Sequence, residues 1–462
     1  MTEPQAPERV AVVLAAGEGK RMRSARPKVL HTVAGRPMLA WVLDAARRAG
    51  CRRLVVVVGR DAEAVRERFA APDVELVEQS ERLGTGHAVA QAERVLGDAP
   101  RVALVLSGDA PLVRPATLER LLETAERGWG AVAVAEVEYP GSLGRVVRRA
   151  DGLERIVEAA DADAEELEIR TVNSGHYALR LPELFEHLRA VSSRNAQGEI
   201  YLTDAVVAAA VAGRSVACVD LHDPVEAWGI NDRADLARAE RALLAREVER
   251  LLAAGVTVRD PARVVVEAGV EVAADSELHP DVTLLGACRL GAGVVLHQGA
   301  WVRDSELAEG VVILPYSVLD GARVGPGCTV GPFARLRPGS VLGRGVRIGN
   351  FVEVKKSVLG DGTKANHLAY LGDATVGAGA NIGAGVVTCN YDGTSKHRTE
   401  IGEGAFVGSD TMLVAPVRVG DRSVTGAGSV ITDDVPDDSL GLARARQRNL
   451  VGWTARRGRS GE

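Results

Sequence analysis

Residues 324–354 read VGPGCTVGPFARLRPGSVLGRGVRIGNFVEV, and every sixth position is aliphatic: Val324, Val330, Leu336, Leu342, Ile348 and Val354. Gly325, Gly331, Gly343 and Gly349 each follow one of them. The beat returns at Ile401, Val407, Leu413, Val419 and Ile431, with Gly402, Gly408 and Gly420 behind. An α-helix repeats every 3.6 residues and a strand every two, so neither yields a period of six. A hexapeptide repeat does, and it predicts a parallel β-helix. Each hexad forms one flat side of a coil, with the aliphatic residue inward and the small residue letting the backbone turn the corner. At three hexads per coil, residues 256 to 435 predict about ten coils.

Just before the hexads, residues 232–254 read DRADLARAERALLAREVERLLAA, with no glycine or proline until Gly255. Such a run predicts one helix. It serves either as a rigid arm between domains or as an ordinary packing helix, and its position favours the arm. Beyond Pro436 the chain is arginine-rich and poor in aliphatics, which predicts a mobile tail.

A chain of 462 residues exceeds one ordinary core, so two or more domains are expected. The net charge of −6, with both signs interspersed, offers no footprint for nucleic acid. Residues Met1 to Arg9 lack the charged-then-apolar form of a signal peptide, and aliphatic runs such as Leu54 to Val58 are too short to span a bilayer. The five cysteines, Cys51, Cys218, Cys288, Cys328 and Cys389, have no close pair, so the expectation is neither disulfides nor a zinc site but a reducing cytoplasm.

The first half alternates strand and helix patterns. Val10 to Leu14, Leu54 to Val58 and Val102 to Leu106 are apolar runs suited to a parallel sheet covered on both faces, and Pro37 to Ala49 has helical spacing. An α/β layer of this kind binds its ligand at the carboxyl ends of the strands. Leu14-Ala15-Ala16-Gly17, continued by Glu18-Gly19-Lys20-Arg21-Met22, falls at one such end, and Asp109 at another. The glycine-rich segment fails the dinucleotide fingerprint, because Met22 replaces the third glycine, and it fails the P-loop spacing. Its exposed backbone N–H groups, with Arg21 and Lys28 downstream, suit a phosphate. A tight turn with solvated basic residues is the competing reading.

LAAGEGKRM followed by Pro27-Lys28 resembles the signature of sugar nucleotidyltransferases. Gln79, Leu83-Gly84-Thr85-Gly86-His87-Ala88, Gly108-Asp109, Gly144-Arg145, Glu158, Asn173-Ser174-Gly175 and Asn231 continue the likeness in order. They are similar to the first domain of the bifunctional UDP-N-acetylglucosamine pyrophosphorylase/glucosamine-1-phosphate acetyltransferases. The resemblance implies attack of a sugar 1-phosphate on the α-phosphorus of UTP, chemistry that needs charge neutralisation and alignment more than a protein nucleophile. Arg21 and Lys28 would neutralise the phosphates, alongside the loop Leu14, Ala15, Ala16 and Gly17. Gln79, Gly84 and Thr85 would read the uracil; Gly144, Glu158 and Asn173 would hold the sugar. Asp109 and Asn231 would hold Mg²⁺, which favours a few oxygen ligands completed by water and substrate. Ser107 departs from the tyrosine that relatives commonly carry there.

After Val354 the hexad register loosens and polar groups gather, from Glu353 to Asp373 and again in the insertion Thr388–Thr399. A loop leaving a solenoid adds ordering entropy without serving the repeat, and such loops commonly carry function. The segment NIGAGVVTCNYDGTSKHRT resembles the same bifunctional family and, more broadly, hexapeptide-repeat acyltransferases. That likeness implies a left-handed β-helix, a homotrimer and acetyl-CoA held between coils. His367 would be the general base for the amine of glucosamine 1-phosphate, an imidazole titrating near neutrality. Arg337, Lys355, Tyr370 and Asn381 would bind the sugar phosphate. Ala384, Asn390, Tyr391, Ser409, Ala427 and Arg444 would bind acetyl-CoA, although LARARQRN around Arg444 lacks the proline of many relatives.

The expected architecture is thus an α/β nucleotidyltransferase domain, Rossmann-like with a mostly parallel sheet, followed by a left-handed parallel β-helix. Residues 1–231 would transfer uridylyl groups, 232–255 form the arm, and 256–462 acetylate. A nucleotidyltransferase whose β-helix only oligomerises or regulates is the alternative, and a binding scaffold the third. The His367 segment and the Asn390-Tyr391 insertion weigh against the former, and the loop, lysine, aspartate and asparagine set against the latter.

Overall fold

The strand Arg53–Val58 is aliphatic after its first residue, and burying both its faces organises the first half of the chain. The structure, a computed structural model, describes residues 7–59, 62–149, 152–193 and 195–457. Most of the stretch Met1–Arg9 and the end of the tail, 458–462, lie outside these. The chain divides into two units, Met1–Leu243 and Leu244–Glu462.

In the first unit, Glu8–Ala15 pairs in parallel with Arg53–Val58 on one side and Arg101–Ser107 on the other. Val10, Val12, Val55 and Val57 pack into one apolar layer, while Ala11, Val13, Leu54 and Val56 pack into the opposite one. The sheet order is Val216–Asp220, Gly130–Glu136, Thr171–Leu181, Arg101–Ser107, Glu8–Ala15, Arg53–Val58, Val74–Glu78. It is more mixed than expected: Thr171–Leu181 runs antiparallel to both neighbours, and the hairpin Arg145–Arg149/Gly152–Val157 attaches to it. The reason is local. A hairpin and the single helical turn Ala164–Leu167 precede Thr171, where a parallel return would need a full crossover helix. The helix Met38–Arg48 forms where its apolar spacing predicts it.

The helix Arg233–Ala253 is continuous and crosses the division between the units. In the second unit every regular strand is parallel to its stacked neighbours, in three sheets of 11, 10 and 9 strands. Val324, Val330, Leu336, Leu342, Ile348 and Val354 are all buried. The missing beat between Val419 and Ile431 is filled by Thr425, whose inward hydroxyl lies 3.1 Å from Thr411 Oγ1 and accepts from Gly408 N. The glycine after the aliphatic residue does something other than turn a corner. A Cβ on Gly325 would meet Gly343 O at 2.6 Å, and one on Gly349 would strike Asn366 O, so these glycines permit close approach of successive coils. The left-handed backbone comes later in many hexads, as at Gly327, although Gly331 itself has φ +108.

One corner column departs from that economy. Asp281, Gly299, Tyr316, Phe333, Phe351, Leu368, Gly385, Asp410 and Gly428 occupy equivalent positions in successive coils, all with positive φ. Five of the nine are glycine or aspartate, which tolerate this conformation; the other four are bulky, exposed, and partly stacked, with ring centroids 5.5 and 5.6 Å apart. The tail after Pro436 also differs from its composition: Leu440–Gly441 adds a strand on Val424–Thr425, and Trp453–Arg457 is helical. Backbone ladders satisfy that strand without an aliphatic core residue.

Candidate active sites

The first site lies at the carboxyl ends of the parallel strands, where backbone and side chains leave a cavity of about 260 Å³. Leu14, Thr85, Gly144 and Glu158 line it, with Asn173, Asp109 and Asn231. Ala15, Ala16, Gly17 and Lys28 line a neighbouring crevice of the same unit. Gly108 lets two strand ends close up, donating its N–H to Leu14 O at 2.9 Å where a Cβ would stand 3.0 Å from that oxygen. Gln79 is buried, donating to Gly84 O at 3.2 Å and lying 3.1 Å from His87 Nδ1, so it braces the turn from behind. Gly84 has φ +102 and abuts the backbone of Ile200, leaving no room for a side chain. Arg21, on the 3₁₀ turn Lys20–Met22, is exposed and lines neither space.

The charged centre is compact. The Lys28 ammonium pairs with Asp109 Oδ2 and donates to Asn231 Oδ1 at 3.0 Å. Ser107 Oγ donates to the other Asp109 oxygen at 2.8 Å, and Ile230 N donates to the Asp109 carbonyl. Two oxygen donors from distant segments therefore converge on one cationic position, a donor set that fits a hard divalent cation. Burial pushes the Glu158 carboxyl up, with Asp204 and Asp161 adding to the effect and a hydrogen bond from Thr203 opposing it. Asn173 donates to Tyr177 Oη at 2.5 Å and accepts from Gly175 N, which fixes its amide.

Thr203, Tyr177 and Arg82, which no motif in the sequence marks, also belong to this site. Thr203 and Tyr177 line the cavity, and Arg82 reaches the crevice, where it pairs with Glu18 of the glycine-rich loop. Arg82 precedes the Leu83-Gly84-Thr85 motif directly, and that adjacency was the available signal. Nothing local marks Thr203.

The second site is built on coil corners. Strands on both sides of one corner step by the same offset at each coil, so His367, Ala384, Ser409 and Ala427 form one column, with Asn350 on the coil before His367. Asn350 Oδ1 lies 2.9 Å from His367 Nδ1, a partner absent from the sequence reading. Arg444, beyond the last strand, donates to the Ala427 carbonyl at 3.0 Å. Arg337 and Lys355 stand on adjacent rungs of a second sheet, and Tyr370 is on the next rung, its ring over Gly372. Asn381 is across the corner, on the sheet that carries His367. One chain thus spreads the expected sugar-phosphate residues over two faces.

The insertion Asn390–Arg398 enlarges the offset between stacked strands from 17 to 25 residues. Its Asn390 is buried and donates to Asp373 Oδ2 at 2.5 Å, so this side chain anchors the loop. Tyr391 is 60% exposed, its hydroxyl donating to Gly393 O. The N–H groups of Ser395 and Thr394, with His397, hold the Asp392 carboxyl well below the usual range. Lys396 approaches Lys355, and the like charge lowers the Lys396 ammonium. Cys389 is reduced and its thiol is pushed up by burial, the wrong direction for a nucleophile. No cluster of metal-ligating His, Cys, Asp and Glu exists among the described residues, and none of their helices is long and apolar enough to cross a membrane.

A nucleotidyltransferase unit joined in one chain to a hexapeptide-repeat transferase unit is the class that this fold and these sites define. Residues 11–210 match the MobA-like NTP transferase domain, and residues 321–356 and 398–433 match the bacterial transferase hexapeptide model of six repeats. The chain belongs to the bifunctional GlmU family. It is 48% identical over 443 residues to the bifunctional protein GlmU of Stutzerimonas stutzeri, covering 96% of this chain and 98% of the relative. The GlmU proteins of Trichlorobacter lovleyi, at 47% identity over 96% of this chain and 97% of theirs, and Syntrophotalea carbinolica, at 48% over 97% of both, are similar to it along the same span.

Proposed function

We infer that the chain makes UDP-N-acetylglucosamine in two reactions, acetylating glucosamine 1-phosphate and then joining the product to a uridylyl group. Residues 256–462 carry the first activity, 1–231 the second, and 232–255 connect them. The arrangement that most supports this is the corner column that aligns His367 with Ala384, Ser409 and Ala427.

In acetyl transfer, the substrate amine attacks the thioester carbonyl of acetyl-CoA. The C–N bond forms, the C–S bond breaks, and His367 Nε2 takes the ammonium proton and returns one to the leaving thiolate. Arg337 and Lys355 bind the sugar phosphate, with Tyr370 and Asn381 on the sugar. Ala384, Ser409, Ala427 and Arg444 form the acetyl-CoA groove, and Tyr391 closes it from a loop anchored by Asn390. In uridylyl transfer, a phosphate oxygen of N-acetylglucosamine 1-phosphate bonds to the UTP α-phosphorus as pyrophosphate leaves. Lys28 and Arg21 neutralise the phosphates; the backbone at Leu14, Ala15, Ala16 and Gly17 cradles them. Thr85, placed by Gln79 and Gly84, contacts the uracil, while Gly144, Glu158 and Asn173 contact the sugar. Asp109 and Asn231 would hold Mg²⁺, which would supply further charge neutralisation beside Lys28. With these oxygens so occupied, the Lys28 ammonium, which now contacts both, would be free to turn to phosphate.

The enzyme acts in the cytoplasm as a homotrimer, and the exposed ladder Tyr316, Phe333, Phe351 and Leu368 supports assembly. A bulky residue in left-handed backbone costs about 1–2 kcal/mol, and stacking four on exposed corners offsets that only where a surface covers them. A second copy of the chain is the occupant this reading assigns.

Purified enzyme given glucosamine 1-phosphate, acetyl-CoA, UTP and Mg²⁺ should yield UDP-N-acetylglucosamine, CoA and pyrophosphate by mass spectrometry. His367→Ala should lower acetyl transfer by about 10²-fold or more while sparing uridylyl transfer. Asp109→Ala should do the reverse, by about 10²–10³-fold, leaving free N-acetylglucosamine 1-phosphate. Retention of full acetylation by His367→Ala would remove the second-site reading.

A further inference from the structure

The imidazole of His367 is exposed at its coil corner, and among the described residues its one hydrogen-bond partner is Asn350, through Nδ1 at 2.9 Å. Asn350 pairs with His367 across adjacent coils by backbone register, so the two side chains are set by the β-helix and not by a loop. An amide oxygen can only accept. With Asn350 Oδ1 facing it, Nδ1 carries the proton in the neutral imidazole, which leaves the Nε2 lone pair pointing away from Asn350.

Free histidine favours the opposite tautomer, with the proton on Nε2. A base working through Nε2 therefore gains twice from a fixed acceptor at Nδ1: the lone pair is on the working atom, and the ring cannot flip. We propose that Asn350 is a positioning residue for acetyl transfer, holding His367 as the Nδ1–H tautomer with Nε2 toward the substrate amine. The proposal rests on His367 being the general base.

The neutral character of this partner matters as well. A carboxylate in the same place, the arrangement familiar from catalytic triads, stabilises the imidazolium and raises its pKa. An amide orients the ring without placing a charge beside it. The charged groups on the stacked strands are Arg347 and Lys364, and across the corner Glu353 and Lys355; none is hydrogen-bonded to the imidazole. The Lys355 ammonium faces Lys396, and Glu353 pairs with Arg337. Asn350 is thus the direct polar influence on the ring.

The test uses full-length Asn350→Ala and Asn350→Asp proteins, with uridylyl transfer in the same preparations as a check on folding. Histidine labelled with ¹⁵N reports the tautomer, and the His367 signal is identified by its absence from His367→Ala. Asn350→Ala should lose about tenfold in acetyl-transfer kcat, with KM for both substrates little changed, and its His367 signal should move toward the Nε2–H form. Asn350→Asp should keep the Nδ1–H tautomer, recover most of kcat, and move the acidic limb of the pH profile up by about one unit. An unchanged tautomer in Asn350→Ala overturns the proposal whatever the rate, as does an unmoved acidic limb in Asn350→Asp. Failure of the general-base reading shows separately, as acetyl transfer retained by His367→Ala.

Discussion

His176 has no exposed surface, and among the described residues its ring makes one hydrogen bond, from Nε2 to the Glu226 carbonyl at 3.3 Å. Burial lowers its pKa from 6.5 to about 4. Between those values the unfolded chain binds a proton that the folded chain does not, so stability is complete above 6.5 and falls as pH drops toward 4. The difference amounts to about 3 kcal/mol at most. Urea unfolding followed by helical circular dichroism should show the midpoint falling between pH 6.5 and 5, since nearly all helices belong to the first unit. His176→Gln should flatten that slope; an equal slope in both proteins would assign it to other groups. The contrast with His367 is instructive. Nothing in the flanking residues of either histidine separates a buried neutral ring from an exposed base. For His367 a family motif pointed to the role, while its partner Asn350 went unnoticed, because the pairing spans 17 residues and depends on coil register.

At the scale of the coil, the hexads were legible because one inward residue per flat side must be apolar, and the sequence repeats whatever the coil repeats. What the glycines do was less so. Gly349 has an ordinary φ, yet any side chain there collides with the carbonyl of Asn366, the residue before the candidate base. Gly349→Ala should therefore push the Asn366–His367 strand outward and cost about 1–3 kcal/mol of stability. Acetyl transfer should drop by roughly 10- to 100-fold, since small misplacements of a catalytic group are that expensive, while uridylyl transfer stays unchanged. Loss of both activities together would mean that the substitution unfolds more than the local coil. The insertion was visible as a break in the beat, although the structure gives its two leading residues different parts. Asn390 turns inward to Asp373, and Tyr391 stays exposed.

At the scale of the molecule, the proposed assembly through the exposed ladder at Tyr316, Phe333, Phe351 and Leu368 would tie oligomerisation to acetyl transfer, because one chain presents its proposed sugar-phosphate residues on two faces. If the proposed trimer forms through this ladder, the double substitution Phe333→Asp with Phe351→Asp should convert it to monomer in sedimentation velocity and abolish acetylation, with uridylyl transfer retained. A trimer that persists would move the interface to another face. By itself the sequence determined the two architectures, their order and the connecting helix, and it suggested most of the residues read as the two candidate sites. These follow from local propensities, from a period that every coil must obey, and from motifs whose chemistry is contiguous in the chain. Only the tertiary structure decided which distant side chains meet: Lys28 with Asp109 and Asn231, Thr203 with Glu158, Asn350 with His367. It also decided that four bulky residues share one left-handed corner. Such contacts depend on register between strands and coils, and register is fixed by packing across the whole unit, where no single segment of the chain records it.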